Sequence, residues 1–228
     1  MKNIFLLKLL SVLLLFQLTF AEVNLEKTLT SDKIDHDKTM NLILEAFKYY
    51  QLDCKSLEIN IKHEPKYNFS GWSDDKGLVI NTASKGYKNF NYRVWVIYHE
   101  CGHLKDFSFN EYPWILVDEL EKQGINSGHN KIYRDCEHRA NINAINALLE
   151  KNEFDAINAK LNRLFYYQVH KGKNHRCYEL HPTCGEQIKV FKRLLKAQGY
   201  KIACYVENKI IKTEIYKDNQ ILSEMKYI

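Results

Sequence analysis

The chain has 228 residues with a formal net charge of +5, and 45% of its residues are hydrophobic and 27% charged. This length is typical of one domain, with or without a small appendage. The hydrophobic share excludes a disordered chain, and only 3 Pro and 9 Gly exclude a collagenous or low-complexity one. The positive charge is too small to indicate binding to nucleic acid. We therefore expect a folded protein with no nucleic-acid partner.

The first 21 residues have the pattern of a secretory signal peptide. Lys2 precedes an apolar run from Ile4 to Phe16, and Thr19-Phe20-Ala21 is a suitable cleavage site. The alternative is an uncleaved N-terminal anchor. Since no later segment approaches the roughly 20 apolar residues that span a bilayer, we expect a secreted or periplasmic protein without a membrane span after cleavage.

The rest of the chain has the spacing of an α+β, mostly helical protein. Apolar residues three to four apart predict helices over 37–50, 92–104, 135–149, 153–169 and 187–197. Alternating residues predict strands over 57–61 and 77–81, and a β-hairpin over 202–215. We expect one domain over 22–198, with a small sheet before its second helix, and the hairpin as an appendage over 199–228.

His99-Glu100-Cys101-Gly102-His103 has the spacing H-E-x-x-H. Helical residues four apart lie on one face, so His99 and His103 can bind the same Zn²⁺. Glu100 can take a proton from a water molecule that zinc holds, as that water attacks a carbonyl. The alternative is a chance match, but the apolar run 94–98 before the motif indicates a buried helix. Burial suits a rigid metal site, and Gly102 leaves room beside it.

Two histidines and a water leave one protein ligand of a catalytic zinc site to be found. Glu137 is the best candidate, because the alanines that follow it allow its helix to pack closely against the helix that carries His99 and His103. The rivals are His129 and His138. His129 is predicted to lie in a solvated loop, and His138 to be exposed on the helix surface away from Glu137.

This pattern resembles the gluzincin metallopeptidases, in which a Glu that begins an E-x-x-A-D run is the third zinc ligand. Glu137 and Ala140 match that run, while Asn141 replaces the Asp that orients a ligating His. The His-Pro pair at His181 is similar to a segment of the family of HtpX-type and CAAX-prenyl metallopeptidases, which has soluble periplasmic members. The resemblance implies a zincin-like fold, with His181 beside the substrate or the developing oxyanion. Gln187 replaces an Arg of that family.

Two further features leave alternatives open. Zincins commonly offer the edge of a strand near the active helix to an extended peptide. Here that strand is 77–81, or else 77–81 is an ordinary core strand. His181 has a structural alternative too, as a residue that leads into the following helix.

Six cysteines follow the predicted signal peptide. An even number in an exported chain suggests disulfides, and 15 pairings are possible. The favoured pair is Cys177 with Cys184, which flank a predicted loop. Cys101 with Cys136 is a second candidate, and the alternative for each of these two is a small buried apolar side chain.

We thus expect a zinc-dependent peptidase that acts on a peptide or protein substrate, with an endopeptidase favoured over an exopeptidase. His99, His103 and Glu137 would bind zinc, Glu100 would be the general base, and His181 would stabilise the oxyanion. The first alternative is a binding protein on a decayed zincin scaffold. The second is a disulfide-linked interaction domain without metal. Neither the substrate's identity nor the oligomeric state follows from the sequence.

Overall fold

The structure is a computed structural model, and it describes residues 35–67, 69–74, 76–107, 129–176 and 181–227. The predicted signal peptide and Cys177 lie outside these residues. The chain divides into two compact units, and the boundary between them follows Leu42. The described part of the first unit is the beginning of helix α1, which spans 35–50.

The described residues form six helices and six strands, which confirms the predicted α+β, mostly helical class. After α1 the elements are β1 (Glu58–Lys62), β2 (Gly71–Asp74), β3 (Gly77–Asn81), α2 (Lys85–Lys88), α3 (Phe90–Phe107), α4 (His129–Glu150), α5 (Phe154–Lys171), α6 (Cys184–Ala197), β4 (Lys201–Glu207), β5 (Ile210–Lys217) and β6 (Gln220–Tyr227). Among the described residues, none of the helices combines the length and the apolar character that a membrane span requires.

The first sheet has the strand order β1-β3-β2, with β1 parallel and β2 antiparallel to β3. All five residues of β3 are buried. Because β3 has a partner on both sides, 77–81 offers no free edge to a peptide, and of the two alternatives left open by the sequence the core strand is correct. The edge next to β3 is occupied by β2, which the sequence analysis did not predict. Gly77 closes the β2–β3 turn, where a Cβ would lie 2.0 Å from the Glu58 carbonyl oxygen.

Helix α3 is the centre of the larger unit. It packs against β2, β3, α4 and α5, and Trp95, Ile97 and Tyr98 are among its fully buried side chains. The predicted close approach of α4 is confirmed, since the alanines that it turns toward the core are 0% exposed. A Cβ on Gly102 would lie 3.1 Å from the Ala140 carbonyl oxygen. A side chain at this position would therefore push against α4, and glycine suits the close approach of the two helices.

The C-terminal sheet is antiparallel with the order β4-β5-β6. The predicted hairpin corresponds to β4 and β5, and β6 adds a third strand. The sheet packs against α5 through buried amides. Asn158 Nδ2 donates to Thr213 O at 3.0 Å and to Ser223 Oγ at 2.9 Å, and Asn162 Nδ2 donates to Thr213 Oγ1 at 3.1 Å. These bonds satisfy polar groups that would otherwise be costly to bury.

Candidate metal centre

The structure brings together the three side chains that the sequence analysis predicted as metal ligands. His99 and His103 project from successive turns of α3, and Glu137 from the facing turn of α4. The Nε2 atom of His99 lies 3.3 Å from Glu137 Oε2, and Nε2 of His103 lies 3.4 Å from Glu137 Oε1. One ligand atom from each residue falls within 4.8 Å of the other two.

These separations fit a zinc ion. Atoms bound at about 2.0–2.1 Å in a tetrahedral arrangement lie about 3.3–3.4 Å apart. Two imidazoles with one carboxylate are also the donor set of a catalytic zinc site, whose fourth position is left for water or substrate. The donor set, and the distance from each histidine to one of the two Glu137 oxygens, are therefore compatible with zinc.

Burial and charge shift the pKa values of the three candidate ligands in different directions. Burial lowers the pKa of His99 to about 4, so its imidazole is neutral at pH 7. Burial alone would raise the pKa of Glu137, but the charge of His103 and the hydrogen bonds with both histidines outweigh burial and hold that pKa well below its usual range. Burial would lower the pKa of His103, but the Glu137 carboxylate outweighs it and the pKa is raised.

Glu100 lies beside the candidate ligands and lines a cleft at their surface. Ser73 Oγ, on strand β2, donates a hydrogen bond to Glu100 Oε2 at 3.1 Å. Burial raises the pKa of Glu100, and both His103 and this hydrogen bond oppose the rise. Ser73 was not among the site residues predicted from the sequence. No sequence signal links Ser73 to a residue 27 positions away.

His181 also reaches the site. Its Nδ1 lies 3.4 Å from Glu137 Oε2, and burial lowers its pKa. Two hydrogen bonds hold the turn on which it lies. Arg176 Nη1 donates to the His181 carbonyl oxygen, and Gln187 Nε2 donates to the Pro182 carbonyl oxygen, both at 2.9 Å. The amide nitrogen of Gln187 is therefore used within the fold.

His181 also has the structural position that was the alternative to a role in the site, because it leads into helix α6. Thr183 is the N-cap of α6, and Glu186 completes a capping box with it. A capping box fixes the angle at which the chain enters a helix. His181 thus precedes a helix start and lies beside the candidate ligands at the same time.

The two rival ligands occupy other positions than those predicted. His129 is the first residue of α4 rather than part of a loop. His138 is half-buried rather than exposed. Burial lowers its pKa, and its charged neighbours include Glu186 and Arg193 of α6. It therefore lies toward α6 and is not part of the candidate metal group.

Two buried atoms near the ligands have no hydrogen-bond partner among the described residues, Nδ1 of His99 and Oδ1 of Asn141. In the family that the sequence resembles, the residue at the position of Asn141 orients a ligating histidine. Since each of these two atoms lacks a partner, Asn141 Oδ1 does not accept a hydrogen bond from His99 here.

The second predicted disulfide candidate is wrong. Cys101 and Cys136 are free thiols, and Cys136 Sγ accepts a hydrogen bond from Arg139 Nη2 at 3.2 Å. Burial raises the pKa of both thiols. They therefore behave as small buried side chains, which was the alternative. Cys184 is buried at the start of α6, and a pairing with Cys177 stays a prediction.

The cleft beside these residues has a volume of about 300 Å³. His99, Glu100 and His181 lie on one side of it, and Lys160 and Arg163 of α5 also line it. The Arg163 guanidinium lies 4.7 Å from the centre of the Tyr92 ring. The sequence analysis did not single out these two cations, because nothing in the pattern of α5 distinguishes them from surface residues.

No protein-family model, curated protein or solved structure matches the chain. The resemblance to gluzincins therefore rests on the motif residues themselves.

Proposed function

We propose that the chain is an exported zinc-dependent peptidase with a zincin-like domain. The observation that carries this proposal is the convergence of His99, His103 and Glu137, whose ligand atoms lie within 4.8 Å of one another and make up the donor set of a catalytic zinc site. The placement of Glu100 in a cleft beside them supports a hydrolytic role. The pattern of the first 21 residues supports export.

The side chains around the cleft suit the hydrolysis of a peptide bond. Zinc held by the three ligands would polarise a water molecule and the carbonyl of the substrate. Glu100 would take a proton from the water as its oxygen bonds to the carbonyl carbon, and deliver that proton to the amine nitrogen as the C–N bond breaks. Ser73 would keep the Glu100 carboxylate in place during both steps.

His181 would act on the carbonyl oxygen. It lines the cleft and contacts the ligand Glu137, so a ring N–H directed at the substrate could donate a hydrogen bond to the oxygen as negative charge develops there. The hydrogen bonds from Arg176 and Gln187 to the His181 turn support this role, because a group that stabilises charge must already be in position.

A second candidate is a zinc-binding protein without peptidase activity. One observation favours it: His99 Nδ1 and Asn141 Oδ1 are buried without partners among the described residues. The imidazole of His99 thus lacks the acceptor that usually orients a zinc-ligating histidine. Such an acceptor commonly improves metal affinity or activity by about 10–100-fold.

The deciding experiment combines metal analysis with a peptidase assay. The purified protein should contain about one zinc per molecule. Glu100→Gln should keep its zinc and its fold but cleave peptides about 10²–10⁴-fold more slowly, because the amide cannot accept the proton. Glu45→Gln is the matched control, since Glu45 is exposed and 3.7 Å from Lys151, and it should cleave at the wild-type rate.

The possible outcomes distinguish the peptidase from the zinc-binding protein. Equal cleavage by wild type and Glu100→Gln would show that the proposed mechanism is wrong. Zinc-loaded wild type that cleaves nothing in a broad peptide library would favour the binding protein. Protein that is folded but retains no zinc would exclude both.

A further inference from the structure

The cleft at the candidate metal centre adjoins a second, larger cleft. The second cleft has a volume of about 520 Å³ and lies where α2, α5 and β6 meet. Tyr92, Arg163 and Tyr167 line both clefts. The two clefts therefore adjoin along α5, on one surface that includes His99 and Tyr227. We call it the α5 groove.

The charges along the α5 groove are almost all positive. Among the described residues that line it, Glu100 is the only carboxylate. The cations that line it are Lys160, Arg163, Lys85, Lys171 and Lys226.

Most of this positive charge is not neutralised within the described part of the chain. Lys226 forms an ion pair with Glu224 at 3.0 Å, but Lys85, Lys160 and Lys171 have no carboxylate within ion-pair distance there. Burial is the main cause that lowers the pKa of His181, and the positive charge of Lys160 lowers it further. Lys160 therefore acts electrostatically at the site itself.

Tyrosines form much of the remaining wall. The Tyr166 and Tyr227 rings lie 4.3 Å apart between centroids, and Tyr92 lies under the Arg163 guanidinium. Tyrosine rings offer an apolar face to a chain that runs over them and a hydroxyl to its polar groups. The wall thus suits an extended ligand that alternates apolar and anionic groups.

We propose that the α5 groove binds acidic segments of polypeptides, with an Asp or Glu side chain near Lys160 and others near Lys85 and Lys171. The cleavage of such segments rests on the peptidase function proposed above. Polypeptide fits better than nucleic acid because the net charge is only +5. Strand β2 also lies at a sheet edge and hydrogen-bonds Glu100 through Ser73, so its backbone can pair with an extended peptide.

The test measures binding to the Glu100→Gln protein, so that it does not depend on cleavage. The probe is a fluorescein-labelled peptide with alternating Glu and Tyr, and its control has Gln in place of each Glu. We expect the acidic peptide to bind at least roughly tenfold more tightly. The difference should shrink between about 0.05 and about 0.3 M NaCl, because salt screens exposed charges.

Single substitutions then locate the binding site. Lys160→Gln and Lys171→Gln should each weaken binding of the acidic peptide about threefold or more, while Lys160→Arg should retain it because the charge is kept. Lys189→Gln removes the same charge from an exposed position on α6 outside both clefts, and should leave binding unchanged. Circular dichroism checks that each variant is folded.

Three results would overturn the inference: equal binding of the two peptides, equal effects of Lys160→Gln and Lys189→Gln, or tighter binding of a single-stranded oligonucleotide than of the acidic peptide. If the acidic peptide binds selectively but the wild type cleaves no peptide, the groove inference stands and the proposed peptidase function fails. Cleavage of neutral peptides at the rate of acidic ones would instead support the peptidase and count against the groove.

Discussion

The close approach of α4 to α3 at Gly102 can be tested by adding one methyl group. A Cβ at this position would lie 3.1 Å from both the Ala140 carbonyl oxygen and the Asn143 Cβ. Helix propensity favours Ala over Gly by about 1 kcal/mol, but overpacking costs about 1–3 kcal/mol. Because the backbone of α4 can yield only if the helix moves, we expect overpacking to dominate. Gly102→Ala should therefore lower the free energy of unfolding by up to about 2 kcal/mol.

The same substitution should weaken zinc binding, since Ala140 lies one turn after Glu137 and any shift of α4 moves the carboxylate away from the two histidines. Urea unfolding with zinc and with a chelator measures both effects. Gly172→Ala is the control. Its φ is +88° and a Cβ there would contact nothing within 4 Å, so it should cost stability without changing zinc affinity. A Gly102→Ala protein that is more stable by about 1 kcal/mol and binds zinc normally would refute the packing argument.

Three further predictions concern other parts of the chain. Glu137→Ala should reduce zinc affinity, measured by competition with a chromophoric chelator, far more than His138→Ala. Equal losses would assign His138 to the metal. Thr183→Ala should cost about 1 kcal/mol in urea unfolding, because it removes the N-cap of α6, and an unchanged midpoint would contradict that role. Cys101 and Cys136 should both be alkylated in denatured, unreduced protein. A disulfide between the two, detected by mass spectrometry, would show that they are not free thiols.

The features that were predictable from the sequence depend on spacing within one element. The H-E-x-x-H motif requires only that 92–104 be helical, and the structure has a helix over Phe90–Phe107. Strand 77–81 was predicted with its observed bounds, since a run of apolar residues after a turn signal is a local pattern. Glu137 could be chosen because its helix carries small residues that permit close packing.

The features that were missed depend on contacts between distant elements. Strand β6 lacks a regular apolar pattern because its one buried residue is the polar Ser223, which is 4% exposed. Ser223 is tolerated there because its Oγ accepts from Asn158 and donates to Asp155 Oδ1 at 2.6 Å. Likewise, Ser73 becomes a partner of Glu100 only when β2 pairs with β3 beside α3. Neither contact can be predicted from the spacing of residues in the sequence.

Gln187 occupies the position at which the family that the sequence resembles has an Arg, and the fold explains why a glutamine suits this position. Gln187 is 2% exposed and its amide holds the Pro182 carbonyl oxygen, so an Arg there would have to bury its charge, which is costly without a paired anion. Arg176 holds the same turn through the His181 carbonyl oxygen, and Lys160 and Arg163 of α5 line the adjoining cleft. If the peptidase proposal is correct, the cations of α5 that select an acidic substrate line the same cleft as His181, which would stabilise charge at the scissile bond. Substitutions on that surface should then change substrate preference and rate together.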